Sequence, residues 1–229
     1  MKNKAPISYT LIAISIVFFV LQNLSTWLFG ADLLLYFGAK INDLILLGEF
    51  WRFLTPVFLH GSILHLGFNM YALYNIGPSL ERKYGGISYI LLYAISAIFG
   101  NVLSFLLSPN ISLGSSTAIF GLIAAQGVYI YKNRHLLGSA AKPMLMNVVF
   151  TIMVNLFLGF SSSNIDNLGH LGGLVGGSLY AWFAGPSYGV SDNLFGENVI
   201  IRENKKIYLT AGLIIIFVLL LAGLGFLLR

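Results

Sequence analysis

Two short segments each place a reactive side chain at the start of an apolar stretch. Ser116 lies in the segment 114–121, and His170 lies in the segment 168–173. A serine hydroxyl becomes a nucleophile when a neighbouring base takes its proton, and histidine is the most common base. Because polar groups in hydrocarbon are costly unless they have partners or a function, the two positions predict a nucleophile and its general base.

A second pair of polar side chains lies in an earlier apolar stretch. His65 and Asn69 are four residues apart, so they share one face of a helix. Asn69 precedes Glu81 by 12 residues, which places both side chains in the same half of the membrane as Ser116. Taken alone, they are also compatible with interhelical hydrogen bonding that only holds helices together.

Composition predicts an integral membrane protein. The 229 residues are 57% hydrophobic and 9% charged, with a mean hydropathy of +0.84, whereas an average globular chain is about 25% charged. The absence of cysteine excludes disulfides, thiolate nucleophiles and cysteine-ligated metal sites. Uninterrupted apolar length predicts seven transmembrane spans, at 9–29, 54–74, 87–107, 116–131, 144–158, 168–183 and 207–228. Several are close to the ~20 residues that cross a bilayer, and the fourth to sixth are shorter.

The distribution of lysine and arginine predicts the orientation. If the N-terminus is cytoplasmic, ten of the 13 cationic residues fall in inner segments and three in outer ones. We therefore expect a multi-pass protein of a prokaryotic cell membrane, with the N-terminus inside, the C-terminus outside and the first span retained as a signal anchor. No basic run is interleaved with aromatic residues outside the spans, so we expect no nucleic-acid partner.

Helix length predicts that the reactive pair lies below the outer surface. Ser116 precedes the inner-face Lys132 by 16 residues, and His170 precedes Pro186 by the same number. Sixteen residues of helix cover about 24 Å of a ~30 Å core, so the two side chains should lie at one depth. Residues 108–114 must then enter the membrane as irregular backbone, which requires a protein-lined or water-filled cavity.

The remaining segments predict how the spans are connected. Residues 30–51 are apolar but interrupted by charges, which favours an outer interfacial segment with Trp51 and Arg52 as anchors. Glycines repeating every four residues through the sixth span favour close packing against the fourth. We expect a catalytic six-span core at 1–185, a cytoplasmic linker at 186–206 and a seventh helix at 207–229.

Together these motifs resemble the rhomboid family of intramembrane serine proteases over nearly the whole chain. Each motif is weak alone, but their order, spacing and depth agree. The matching residues are Trp51-Arg52, His60, His65-x-x-x-Asn69, Glu81-Arg82, Gly114-x-Ser116, Phe120 and His170-x-x-Gly173-x-x-x-Gly177. The resemblance implies an all-α polytopic fold with a six-helix core plus one C-terminal helix.

The resemblance also implies a role for each site residue. Ser116 would be the nucleophile and His170 the general base and later acid. The backbone N–H of Ser116, the Asn69 amide and the His65 imidazole would form the oxyanion hole. Phe120 would stack beside His170, and Gly114, Gly173 and Gly177 would support the site.

The resemblance further implies the substrates and their route of entry. These would be transmembrane proteins, cut near the outer face beside a small residue after entering through a gate near the fifth span, with 157–167 as the capping loop. No cofactor or metal is implied, and the histidines are accompanied by no carboxylate ligand within the spans and no zinc-protease motif. All eight carboxylates lie in loops or at span ends, so a dyad is favoured over a triad that includes Asp166.

One position departs from the family pattern and leaves alternatives open. Thr117 stands where the family usually has glycine, so an inactive binder of transmembrane clients is the second hypothesis. A transporter is disfavoured because neither membrane-embedded charges nor paired broken helices occur. Ser116 and Thr117 could also simply cap a helix. The oligomeric state is left open.

Overall fold

The computed structural model describes residues 5–161, 165–192, 198–202 and 207–227, and nearly all of its ordered elements are helical. Seven long helices run through this described part: α1 (Pro6–Phe29), α4 (Ile63–Tyr84), α5 (Gly86–Leu107), α6 (Ser116–Lys132), α8 (Ala141–Phe160), α9 (Asn167–Ala184) and α10 (Ile207–Leu227). The shorter elements are α2 (Leu33–Gly38), α3 (Asn42–Leu46), α7 (Arg134–Leu137), the 3₁₀ turns Phe50–Phe53, Thr55–Phe58 and Gly138–Ala140, and the strands β1 (Tyr188–Asp192) and β2 (Asn198–Arg202).

The helices have the length and composition of a polytopic membrane protein. Four helical segments of the described chain are long and apolar enough to cross a bilayer individually: α1, α5, the stretch Arg134–Phe160 and α10. The other long helices, α4, α6 and α9, are shorter or more polar, and they pack among these four. The expected all-α membrane fold is therefore confirmed, with one small β-hairpin as an addition.

Glycine contacts hold α5, α6 and α9 together at the centre. A Cβ atom at Gly173 would overlap the carbonyl oxygen of Thr117 on α6, and one at Gly177 would overlap Gly121. On the neighbouring side of α9, a Cβ at Gly172 would lie 2.8 Å from the Cα of Gly100 on α5. The fourth-residue glycine spacing thus does bring α9 against α6, and an additional set of glycines brings it against α5.

The second span begins nine residues later than the sequence predicts. Residues 54–62 do not start the expected helix at Leu54 but contain the 3₁₀ turn Thr55–Phe58 and a loop. Helix α4 begins at Ile63 because Ser62 caps it, its side chain accepting a hydrogen bond from the N–H of His65 at 3.1 Å. Apolar content alone could not separate a buried 3₁₀ turn from a helix.

The outer segment between α1 and α4 folds around a buried arginine. The Arg52 side chain is fully buried and donates to the carbonyls of Ala39 at 2.7 Å and Tyr36 at 2.8 Å, and to the carboxylate of Glu49 at 2.7 Å. Arg52 is therefore a fold element of the outer segment, as one interpretation of the sequence expected, and not an interfacial anchor, because three internal acceptors hold the guanidinium inside. Trp51, in contrast, is half exposed.

At the opposite end of the bundle, polar side chains terminate the helices. The buried Glu81 carboxylate of α4 accepts from the backbone N–H groups of Ile7 and Ser8, at 3.0 and 2.7 Å, and so caps α1. Lys132 donates to the carbonyls of Trp182 and Gly185 at the end of α9. Both contacts tie helix ends that are distant in sequence.

The polar linker after α9 contains structure that was not expected from its composition. Strands β1 and β2 pair antiparallel, with Tyr188 opposite Arg202 and Asp192 opposite Asn198. The Tyr188 N–H donates to the Asn133 side chain at 2.9 Å, which attaches the hairpin to the turn after α6. The division of the chain into a core that ends at residue 185 and a separate seventh helix stays a prediction. Helix α10 packs against both α5 and α9 of that core.

Candidate active site

Ser116 and His170 are brought together by the starts of two neighbouring helices. Ser116 is the first residue of α6, and His170 lies in the first turn of α9. The Oγ of Ser116 and the Nε2 of His170 are 2.9 Å apart, within hydrogen-bond distance. The Phe120 ring, one turn along α6, stacks on the imidazole at 4.2 Å between centroids and 14° between planes, which fixes the orientation of the His170 ring.

The remaining ring nitrogen of His170 has no carboxylate partner. His170 Nδ1 is buried and has no hydrogen bond within the described residues. Asp166, the candidate third member, instead caps α9 by accepting from the N–H of Gly169 at 2.8 Å. Asp166 thus sets the start of the helix that carries His170.

His65 and Asn69 lie around Gly114, two residues before Ser116. A Cβ atom at Gly114 would lie 2.6 Å from the His65 ring and 3.8 Å from the Asn69 amide nitrogen. Gly114 also has a φ of +121°, which side chains rarely adopt. One N–H of the Asn69 amide donates to the His65 carbonyl at 3.0 Å, which leaves the second available to a substrate oxygen.

The backbone that leads to Ser116 is irregular, as its depth predicts, and is held by the protein. Lys40 and Ser112 exchange backbone hydrogen bonds at 2.9 and 3.1 Å. The Gly114 N–H donates to the Pro56 carbonyl at 2.8 Å, and the Asn42 amide donates to the Ser108 carbonyl at 2.8 Å. The outer segment therefore fixes the loop that leads to Ser116.

Sequence reasoning missed the role of Ser115. Its hydroxyl is fully buried and lies 3.4 Å from Nε2 of His60, whose ring meets His65 edge-on at 5.2 Å between centroids. The backbone N–H of His60 donates to the side-chain oxygen of Gln22 at 3.0 Å. His60 thus links α1 to the residue before Ser116.

Sequence reasoning also missed the residue that accommodates Thr117. Thr117 is buried between α5 and α9, and its Cβ lies 2.8 Å from the position of a Cβ at Gly100. Its methyl carbon lies 3.0 Å from the corresponding positions at both Gly100 and Gly169. The space for threonine is therefore supplied by two glycines on the facing helices, and only a three-dimensional arrangement could show that Gly100 is one of them.

Two further expectations concern the surroundings of the site. The expected capping loop at 157–167 lies partly outside the described residues, which omit 162–164. Among the residues that the structure describes, no group of three histidine, aspartate or glutamate side chains gathers in a way that could hold a metal ion.

The site and the fold match a known family. The Rhomboid domain profile matches residues 47–187, which include every predicted site residue and most of the chain. The chain belongs to the rhomboid family. The resemblance that the sequence motifs indicated is thereby confirmed.

Named relatives of this rhomboid are described as proteases. It is 39% identical over 199 residues to Rhomboid protease GluP of Bacillus subtilis (strain 168), covering 86% of this chain and 38% of that protein. It is 38% identical over 152 residues to Rhomboid-like protease 1 of Toxoplasma gondii, covering 65% and 52%, respectively. It is 36% identical over 141 residues to Putative rhomboid protease YdcA of Bacillus subtilis (strain 168), covering 59% and 67%. The chain thus spans about a third to a half of the length of several of these relatives.

Proposed function

We propose that this rhomboid is an intramembrane serine endopeptidase that hydrolyses peptide bonds of transmembrane substrates near the outer membrane face. The hydrogen bond of 2.9 Å between Ser116 Oγ and His170 Nε2, at the starts of two packed helices, carries the proposal. The protease names of the relatives support the reaction class. The asymmetry of lysine and arginine supports a cytoplasmic N-terminus and an outer C-terminus.

In the acylation step, His170 Nε2 takes the hydroxyl proton as Ser116 Oγ attacks the substrate carbonyl carbon. The developing oxyanion receives hydrogen bonds from the Ser116 backbone N–H, which has no intrahelical partner at the start of α6. The free N–H of Asn69 and a protonated Nε2 of His65 lie on the same side, around Gly114. His170 then gives its proton to the departing amine, which leaves an acyl ester on Ser116.

In the deacylation step, His170 accepts a proton from water, and the hydroxide attacks the ester. The tetrahedral intermediate collapses, Ser116 Oγ regains a proton from His170 and the new carboxylate leaves. No residue needs to hold a cofactor or a metal ion for either step. Phe120 keeps the imidazole plane fixed while its proton is exchanged.

We also propose that substrates enter beside α8. Few residues of this helix are buried, among them Ala141, Val148 and Gly159, and much of its surface faces outward. A loosely packed helix is the element that can move with the smallest loss of contacts. A disulfide between cysteines introduced on α8 and α4 should stop turnover until it is reduced, and full turnover of the crosslinked protein would locate the gate elsewhere.

A fluorophosphonate probe tests the nucleophile directly. The detergent-solubilised protein should be labelled, and labelling should disappear in Ser116→Ala and in His170→Ala. Ser115→Ala is the matched control, because it removes a neighbouring buried hydroxyl and should retain labelling. Labelling of Ser116→Ala at the rate of the parent protein would remove Ser116 from the mechanism.

The second candidate function is an inactive binder of transmembrane clients. Thr117 is the feature that favours it, because bulk beside the nucleophile could displace the pair. Turnover of a labelled transmembrane segment in liposomes distinguishes the two, since a binder would retain the segment without cutting it. The contacts of Thr117 with Gly100 and Gly169 favour the protease.

A further inference from the structure

A groove on the outward side of α8 has features that the proposed protease mechanism does not use. It has a volume of about 690 Å³ and lies between the α7 turn and α8. This is within the range of about 300–1,000 Å³ typical of small-molecule sites. The groove opens because Gly138, with a φ of +55°, turns the chain away and Ala141 adds little bulk.

The apolar part of the groove is a single stripe along α8. Leu145, Met146, Val149, Phe150 and Met153 line it at helical spacing. All except Leu145 are more than half exposed, because α8 packs on α6 through a different face. There, Val148 lies 3.2 Å from the position that a Cβ at Gly127 would occupy. The stripe thus faces the lipid and not the protein.

The stripe has the length of one bilayer leaflet. From Lys142 to Met153 is 11 residues, or about 16 Å of helix at ~1.5 Å per residue. Half of a ~30 Å hydrocarbon core is about 15 Å. An acyl chain lying along the stripe would therefore reach from the membrane surface to the bilayer centre.

Two cations stand at the surface end of the groove. Arg134 and Lys142 are both exposed, and the residues that line the groove include no carboxylate. The Arg134 guanidinium lies 4.4 Å from the centre of the Tyr131 ring and donates to the Tyr131 carbonyl at 2.8 Å. These contacts hold its charge in place and still leave other N–H donors for a ligand.

We propose that the groove is a binding site for one anionic phospholipid of the cytoplasmic leaflet, with the headgroup on Arg134 and Lys142 and an acyl chain along α8. Charge favours this occupant over a protein helix. The cytoplasmic ends of transmembrane helices are enriched in lysine and arginine, which these two cations would repel, whereas anionic headgroups are attracted. That comparison rests on the cytoplasmic N-terminus proposed above.

Quenching by brominated lipids tests the site in the full-length chain, reconstituted in phosphatidylcholine. A Val149→Trp variant reports on the groove. A Leu213→Trp variant is the control on α10, because Leu213 has nearly the same exposure, 58% against 57%, at a similar distance from its helix start. The quenching of the native tryptophans in the parent protein is subtracted. Both variants carry Ser116→Ala, so binding is measured without proteolysis.

Brominated phosphatidylglycerol should be preferred over brominated phosphatidylcholine about tenfold or more at position 149, with little preference at position 213. Each of Arg134→Gln and Lys142→Gln should lower the preference roughly fivefold, since a basic residue near an anionic surface contributes a factor of about that size. Arg82→Gln removes an exposed cation at the end of α4, outside the groove, and should change nothing.

Three results would overturn the proposal. The first is equal preference for phosphatidylglycerol at both reporter positions, and the second is an equal loss in Arg82→Gln. The third comes from a benzophenone side chain at Met146 in the protein reconstituted without substrate, where crosslinks to a second copy of the chain, and not to lipid, would assign the groove to protein. Absence of fluorophosphonate labelling in the parent protein would refute the protease proposal but would leave these lipid measurements intact.

Discussion

Replacing Thr117 by glycine tests whether the site accommodates threonine or is inactivated by it. The substitution removes two buried carbons, worth about 0.8 kcal/mol each, and places glycine in a helix at a cost of about 0.3 kcal/mol relative to threonine. It also removes the Thr117 hydroxyl, which is buried without a hydrogen bond among the described residues and costs about 1–3 kcal/mol in that state. These opposing effects leave a net change in stability within about 2 kcal/mol.

The effect of Thr117→Gly on turnover should be correspondingly small. The carbonyl of Thr117 still contacts Gly173 on α9 whatever side chain residue 117 carries, so the Ser116–His170 distance is kept. We expect turnover of a labelled transmembrane substrate in liposomes to change less than about tenfold, or ~1.4 kcal/mol. A gain from no activity to activity would show that Thr117 disables the site and that the binder hypothesis is right.

Two further variants control this reasoning. Thr117→Val keeps the shape but removes the unpaired hydroxyl, so thermal unfolding should show a protein at least as stable as the parent. Gly100→Ala should be more harmful than Thr117→Gly, since its Cβ would lie 2.6 Å from the Gly169 carbonyl oxygen and 2.8 Å from Thr117 Cβ. In a Thr117→Gly background, the stability lost in Gly100→Ala should be only partly restored, because the close contact with the Gly169 carbonyl oxygen remains. Full restoration of stability in the double variant, or a Thr117→Val protein that unfolds at a lower temperature than the parent, would contradict this account of the contacts around Thr117.

Three other substitutions address the oxyanion hole, the outer segment and the helix contact. Asn69→Ala should lower kcat by about 10²–10³ with little change in substrate binding, and parental turnover would leave Asn69 as a helix contact only. Arg52→Met should destabilise the protein by about 3–5 kcal/mol in thermal or denaturant unfolding, because it strands buried carbonyls, while Glu49→Gln should cost less since two of the Arg52 hydrogen bonds persist. Gly173→Ala should abolish turnover and lower stability by separating α6 from α9, whereas the exposed Gly223→Ala, with open space around it, should do neither.

The spacing of polar residues predicted that Ser116 and His170 lie at one depth, because helical geometry relates position to depth, whereas their roles were implied by the family resemblance. Sixteen residues separate Ser116 from Lys132 and His170 from Pro186, and the structure brings Ser116 and His170 into contact. When two helices run in the same direction, the depth of each side chain in the membrane follows from the number of residues between it and the inner end of its helix. The lateral contact between helices was indicated by the glycine repeat of α9.

Contacts between distant segments could not be predicted in the same way. The fourth-residue repeat identified the α9 glycines, but nothing in the sequence paired Thr117 with Gly100, since partners on facing helices have no fixed spacing. The start of α4 was placed too early because the residues of 54–59 are as apolar as a helix, although Pro56 and the cap Ser62 are signals that could have corrected it. Arg52 was expected at the interface because a single arginine gives no sign of the three acceptors that gather around it.

The cap that Glu81 places on α1 has a consequence for dissecting the protein. The family profile begins at residue 47, so a minimal chain cut there would retain Glu81 and lose the N–H groups of Ile7 and Ser8. A buried carboxylate without donors is strongly unfavourable, so the shortened chain would be destabilised at the C-terminal end of α4. Residues 47–187, which match the profile, thus depend on residues that precede them, and a functional fragment of this rhomboid has to include the first turn of α1.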